Sequence, residues 1–181
     1  MASFQDRVVG ALKLQAATFE EVEADKTATA QAAIIVLAAS VSNGLGLIRW
    51  WGLSGTLRQA LFALAAWALG AAVIWLIGTR VLPGKNTQAD WTDLLRCLGF
   101  AQAPGLFSVL YIVPLVGGIV PFVVVIWTLI AAVVAVKAAL DYDDTMKAVI
   151  VCVLGWVAMA VALSILGGAA LGMGMVPGRV F

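Results

Sequence analysis

Residues 119–139 read IVPFVVVIWTLIAAVVAVKAA, and Lys137 is the one charge in the run. A helix of about 20 predominantly apolar residues crosses the hydrocarbon core of a bilayer, where only structures that satisfy their own backbone hydrogen bonds persist. One crossing is therefore predicted here. Composition extends the conclusion to the rest of the chain: 63% of the 181 residues are hydrophobic and 12% are charged, and the mean hydropathy is +1.04. A soluble domain with a charged shell does not have this balance.

Just before the run, Pro114, Leu115, Val116, Gly117 and Gly118 form a very short uncharged connection. The preceding span, 97–113, is then expected to pair with 119–139 as a tight antiparallel hairpin. Its helix should begin ahead of its apolar part, capped by Thr87 or Asp90, and Pro104 should bend it, because proline lacks the amide that bonds one turn back. Further toward the N-terminus, a span over 57–77 ends in a loop over 79–87 that contains Pro83 and Gly84. The first span, 28–48, runs into Arg49, Trp50 and Trp51, the cation and indoles expected at headgroup level, and a loop over 52–56 closes the turn. Beyond the run, 141–144 is a polar loop, Asp144 or Thr145 caps the next helix, and 146–171 forms the fifth span.

Residues 3–23 are predicted to form one amphipathic helix, with Phe4, Val8, Leu12, Phe19 and Val22 on one side and Asp6, Lys13, Glu20 and Glu21 opposite. It is too polar to span, so it is expected to lie among headgroups or to dock on the cytoplasmic ends of the spans or on a neighbour. Its acidic side makes protein contact the better expectation, because anionic leaflets attract polybasic faces. The fold class is thus all-α, a polytopic membrane bundle of five transmembrane helices plus an N-terminal amphipathic helix. The divisions are 1–27 for the cytoplasmic helix and linker, 28–172 for the membrane domain and 173–181 for a short tail. No cleaved signal peptide is expected, since residues 1–28 are mostly polar, and the first span would act as an uncleaved anchor.

The basic residues set the orientation, because short cytoplasmic loops carry the excess of lysine and arginine. With the N-terminus inside, Arg7, Lys13, Lys26, Arg80, Lys85, Arg96, Lys137 and Lys147 lie on the inner side and Arg49, Arg58 and Arg179 on the outer, eight against three. The net charge of +1 argues against nucleic acid as a partner, since phosphate binding needs a basic surface. The chain has no histidine, which removes the commonest general base and the commonest zinc and haem ligand. No catalytic residue, metal site or cofactor is expected. Cys97 and Cys152 read as small buried hydrophobes, and Asp141, Asp143 and Asp144 read as a solvated loop with a helix cap, not a calcium loop.

Two features remain as candidates for function. Small residues recur every four positions as Ala131, Ala135 and Ala139 in the fourth span and as Ala160, Ser164, Gly168 and Gly172 in the fifth, a pattern that lets helices approach closely inside one bundle or between subunits. Gln102, Pro104, Ser108 and Tyr111 put polar and helix-breaking residues into the third span, where they satisfy a neighbouring helix or open a small pocket. No mid-membrane Asp, Glu, Lys or Arg is expected, which disfavours ion-coupled transport.

Residues 91–104, WTDLLRCLGFAQAP, entering the third span, and 145–148, TMKA, entering the fifth, resemble the Yip family of Ypt/Rab-interacting membrane proteins in a compact bacterial form. The resemblance implies a helical bundle without known catalysis, whose eukaryotic relatives act in vesicle traffic, membrane shaping and the binding of prenylated GTPases. The Asp-Leu-Tyr-Gly-Pro motif and long N-terminal domain of those relatives are missing, so a GTPase partner is not carried over. The alanine-rich spans and compact loops suit a bacterial inner membrane. The leading expectation is a non-enzymatic membrane scaffold or accessory subunit that contacts membrane lipids and either another membrane protein complex or a second copy of itself. The alternative is a small permease or lipid-handling protein with a pocket at the broken third span.

Overall fold

The structure, a computed structural model, describes residues 2–85, 87–113 and 115–174, apart from the side chains of Trp51, Leu163 and residues 166–174. The described residues are helical with no strand, and five helices are long and apolar enough to cross a membrane: Ala28–Gly46, Gly52–Val81, Trp91–Ile112, Val120–Ala139 and Thr145–Ala162. The expected tail beyond residue 174 lies outside the described residues.

The N-terminal segment departs from the single helix expected over 3–23. It forms two, α1 (Phe4–Leu12) and α2 (Ala16–Ala24), with Leu14 between them at φ 59°. The amides of Leu14 and Gln15 bond back to Ala11 and Gly10, which closes the end of α1. At Gly10 the Thr18 side chain occupies the space a Cβ would take, so the pair folds tightly on itself. Ser3 starts α1 with a reciprocal capping box to Asp6.

The first span is α3 (Ala28–Gly46), followed with almost no linker by α4 (Ile48–Leu76). The expected loop over 52–56 is replaced by a single break at Gly52, with φ 63° and ψ −178°, a conformation open to glycine. Thr56 fills the space beside Gly44 and donates to the Gly52 carbonyl at 3.0 Å, so the reversal needs little chain. Span two ends in a π-helical turn over Ile77–Val81, beyond the residue where the loop was expected to start. There the Tyr142 hydroxyl hydrogen-bonds to the Leu82 carbonyl at 2.7 Å and lies 3.0 Å from that of Gly78, which satisfies carbonyls freed at the helix end.

Helix α5 (Trp91–Phe100) is capped by Asp90 in a capping box with Asp93, while Thr87 instead donates to the Leu140 carbonyl at 2.7 Å. The third span does not continue as a bent α-helix. After Ala101 it becomes a 3-10 helix over Ala103–Ile112. The reason is local: Pro104 has no amide, and Gly105 bonds to Gln102 at 2.8 Å, three residues back. Helix α6 (Val120–Ala139) follows, then α7 (Thr145–Gly174), where Asp144 caps the amide of Met146 at 2.9 Å.

The third span sits at the centre. A Cβ on Gly99 would lie 2.6 Å from Ala32 Cβ, and one on Gly105 would lie 2.9 Å from Ala39 Cβ. At Gly46 the Ser108 carbonyl takes the place a side chain would need. Small residues at 32, 39 and 46 in the first span thus meet Gly99, Gly105 and the backbone at Ser108. Without a hydrophobic force between helices in lipid, such close approach is what holds two spans together. Ala131, Ala135 and Ala139 are fully buried within the bundle. Ala160 and Ser164 are exposed on α7, and Ser164 returns its hydroxyl to the Ala160 carbonyl at 2.8 Å. The side-chain surroundings of Gly168 and Gly172 lie outside the described residues.

Candidate functional site

All five spans contribute to a cavity of about 470 Å³ inside the bundle. Gln102, at the start of the 3-10 segment that packs against α3, and Ser108 and Tyr111 within that segment line the cavity. Pro104 does not line it and is buried behind. Asn43, Gln59 and Thr128, not singled out from the sequence, supply further polar groups. The Ser108 hydroxyl bonds to that of Tyr111 at 3.2 Å, and Gln59 Nε2 donates to Asn43 Oδ1 at 2.8 Å.

These bonds do not exhaust the polar groups. Gln59 Oε1 is buried without a partner. Exchanging oxygen and nitrogen in both amides would keep the Asn43 bond and leave an NH₂ over instead, so one end of Gln59 is unsatisfied either way. Among the described residues Gln102 and Thr128 also find no side-chain partner. In hydrocarbon an unmade bond at a buried group such as Gln59 Oε1 costs several kcal/mol. A polar guest or water is the physical remedy. No acidic or basic side chain lines the cavity, and Tyr111 is its one titratable group; the lining can bind and orient but lacks a general base with an ordinary pKa near neutrality.

At the other end of the bundle, α1 and α2 pack into the same core as the spans. Phe19 and Val22 are fully buried, Val8 and Leu12 pack against that core, and Phe4 sits edge-on to Phe100 at 6.4 Å. Polar bonds fix the arrangement. Arg96, 4% exposed, donates through Nε to the carbonyls of Val22 and Glu23 at 3.2 and 3.1 Å, through Nη2 to Glu23 again, and pairs with Asp93 at 2.5 Å. Trp127 Nε1 donates to the Leu12 carbonyl at 2.9 Å. Arg7, assigned from sequence to the inner side, is 2% exposed and paired with Glu21 at 3.0 Å and Asp25 at 2.7 Å. The Thr27 hydroxyl and Arg7 hold Asp25 down at about 2.

Burial, with the charges of Asp141 and Asp93, pushes Glu23 up to about 7 against the opposing charge of Arg96. An acid raised from 4.5 holds its proton longer in the docked state than when released. Docking therefore weakens as pH rises from the ordinary carboxylate range through about 7, and levels off beyond it. A nitroxide on Ala17→Cys should become more mobile across that window, and Glu23→Gln should flatten the response. Equal pH dependence with and without Glu23→Gln would exclude this residue as the cause.

The family model described as Yip1 domain matches residues 9–174. The chain belongs to the Yip family. The match begins inside α1 and reaches the end of α7, so α2, the glycine-packed third span of this Yip protein and all five crossings fall within it, while the first residues of α1 precede it. Neither a curated protein nor a solved structure matches the chain. The composition and five apolar helices make this Yip protein a multi-pass membrane protein.

Proposed function

We propose that this Yip family protein is a non-enzymatic lipid-handling protein that holds one amphiphile in the cavity between its spans. The unpartnered buried end of Gln59 supports the reading most directly, because a five-span bundle has no use for an unmade hydrogen bond in lipid. The volume falls within the range of about 300–1,000 Å³ typical of small-molecule sites. Val125, on the fourth span, lines the cavity and is 53% exposed, so part of the lining faces the bilayer. The expected result is that lipid survives gel filtration with the wild-type chain at near one per chain, and falls severalfold in Gln59→Leu with Gln102→Leu. Equal lipid retention in that variant, with the fold intact, would defeat the reading.

A second reading, a scaffold or accessory subunit that associates with itself or another membrane complex, is favoured by the exposed small face of Ala160 and Ser164 on α7. It predicts crosslinking between chains through Ala160→Cys in mild detergent; a uniformly monomeric product without partners would exclude it. We place the chain in a bacterial inner membrane with a cytoplasmic N-terminus, supported by the basic residues of the inner loops. A C-terminal reporter active in the periplasm is the corresponding observation, and one active in the cytoplasm would reverse the assignment.

A further inference from the structure

Polar and apolar linings of the cavity are segregated along the bundle. Asn43 lies close to the end of α3 at Gly46, Gln59 early in the span that begins at Gly52, and Ser108 and Tyr111 close to the end of the 3-10 helix at Ile112. These four belong to the end of the bundle opposite α2, which lies beside Lys137 and Asp141, whereas α1 runs along the first and third spans near Ile35, Ala38 and Leu106. Ala71 and Ile74, also in the lining, lie far along the second span and present only carbon. At 1.5 Å per residue, Gln59 and Ile74 are about 22 Å apart along their helix. The cavity therefore has a hydrogen-bonding head and a long apolar tail.

Its head is also uncharged. No Asp, Glu, Lys or Arg lines it. Arg58, the neighbour of Gln59 in sequence, lines an adjoining surface recess with Trp50, Phe62 and Gln59 itself, and does not line the cavity. A phosphate seated among amides and hydroxyls alone would lose its hydration without a guanidinium or ammonium partner, and burying an unpaired charge costs several kcal/mol. Amides and hydroxyls donate and accept alike, which suits a head that does the same.

On the reading that the cavity is a ligand site, we propose that its ligand is a neutral glycerolipid of the diacylglycerol type. Its free hydroxyl and ester carbonyls lie among Asn43, Gln59, Ser108 and Tyr111, one acyl chain runs toward Ala71 and Ile74, and the other stays in the bilayer, because a cavity of about 470 Å³ has no room for both. Thr128 lies about as far into α6 as Gln59 lies into the second span, so its hydroxyl joins the head, and Gln102 lines the stretch between head and tail.

Native mass spectrometry of the intact protein in mild detergent tests this, with dioleoylglycerol and dioleoyl phosphatidylglycerol added separately at equal concentration. One dioleoylglycerol per chain is expected. Gln59→Leu should weaken it roughly tenfold, the effect of about one lost hydrogen bond, and Arg58→Gln should leave it unchanged. Thr128→Val, nearly the same shape, should weaken it by a smaller factor and serves if Gln59→Leu fails to fold. Tighter binding of the anionic lipid, sensitive to Gln59 or Arg58, overturns the neutral-ligand proposal while leaving the cavity a binding site. Binding of neither lipid, or binding indifferent to both Gln59 and Thr128, overturns the proposal and the cavity reading together.

Discussion

Gly99→Val is expected to abolish accumulation of folded protein, whereas Gly118→Val is expected to leave it unchanged. Any side chain at 99 begins with a Cβ 2.6 Å from Ala32 Cβ and 3.1 Å from both the Ala32 Cα and the Trp67 ring. Ala32 Cα is backbone, and Trp67 is held by its own bond to the Leu95 carbonyl at 2.9 Å, so neither neighbour has an easy way to give. Overpacking a core costs about 1–3 kcal/mol when the surroundings relax, and more when they cannot. Gly118 has nothing within 4 Å of its Cβ position and serves as the control. A compensating pair sharpens the test: Gly99→Ala should lower the yield of inserted, monodisperse protein, and Ala32→Gly in the same chain should restore much of it. Wild-type yield for Gly99→Val would remove the close approach of the first and third spans as the basis of the fold.

Arg96→Ala should release the N-terminal helices from the bundle. The guanidinium joins α5 to the end of α2 through two backbone carbonyls and neutralises Asp93 at the same time. Removing one partner of a buried, hydrogen-bonded charge pair costs on the order of 3–5 kcal/mol, since the groups left behind remain desolvated. The spans do not depend on this clamp, so the protein should still insert. Trypsin should then cut after Lys13 and Lys26 at least tenfold faster than in the wild type. Arg96→Lys should give an intermediate rate, because an ammonium keeps the charge but lacks the planar fork that reaches both carbonyls. Val8→Asp with Leu12→Asp should produce the same exposure by removing apolar packing instead. Unchanged cleavage in Arg96→Ala would show that the segment is held without this clamp, by its apolar packing and the Trp127 bond to Leu12.

The number and approximate position of the spans could be read from the sequence because hydropathy over 20 residues averages out local detail. Local geometry escaped where it depends on one residue's surroundings. The break between α1 and α2 rests on Leu14 in the left-handed region, which leucine rarely enters, and on Thr18 seated against Gly10; periodicity across 3–23 carries no trace of either. Pro104 marked the irregularity of the third span, but a proline inside an apolar run is compatible with a kink or with 3-10 geometry, and the i−3 bond at Gly105 decides. Three of the four residues proposed for a pocket line one cavity. Asn43, Gln59 and Thr128 were missed because single amides and hydroxyls in separate spans converge only in three dimensions. A signal existed in Asn43 and Gln59, the side-chain amides flanking the turn between the first two spans. The packing stripe of the first span at Ala32, Ala39 and Gly46 was equally visible as small residues seven apart, but means little without Gly99 and Gly105 opposite.

Labelling with a photoreactive lipid tests the central claim most directly. A glycerolipid carrying a diazirine midway along one acyl chain, reconstituted with the wild-type protein and irradiated, should attach to cavity residues such as Gly70, Gly155 and Met159. That labelling should be displaced by excess unlabelled dioleoylglycerol and should fall with Gln59→Leu. Labels confined to outward residues such as Leu61, Val157 and Val161, indifferent to competitor and to Gln59, would contradict a lipid held within the bundle.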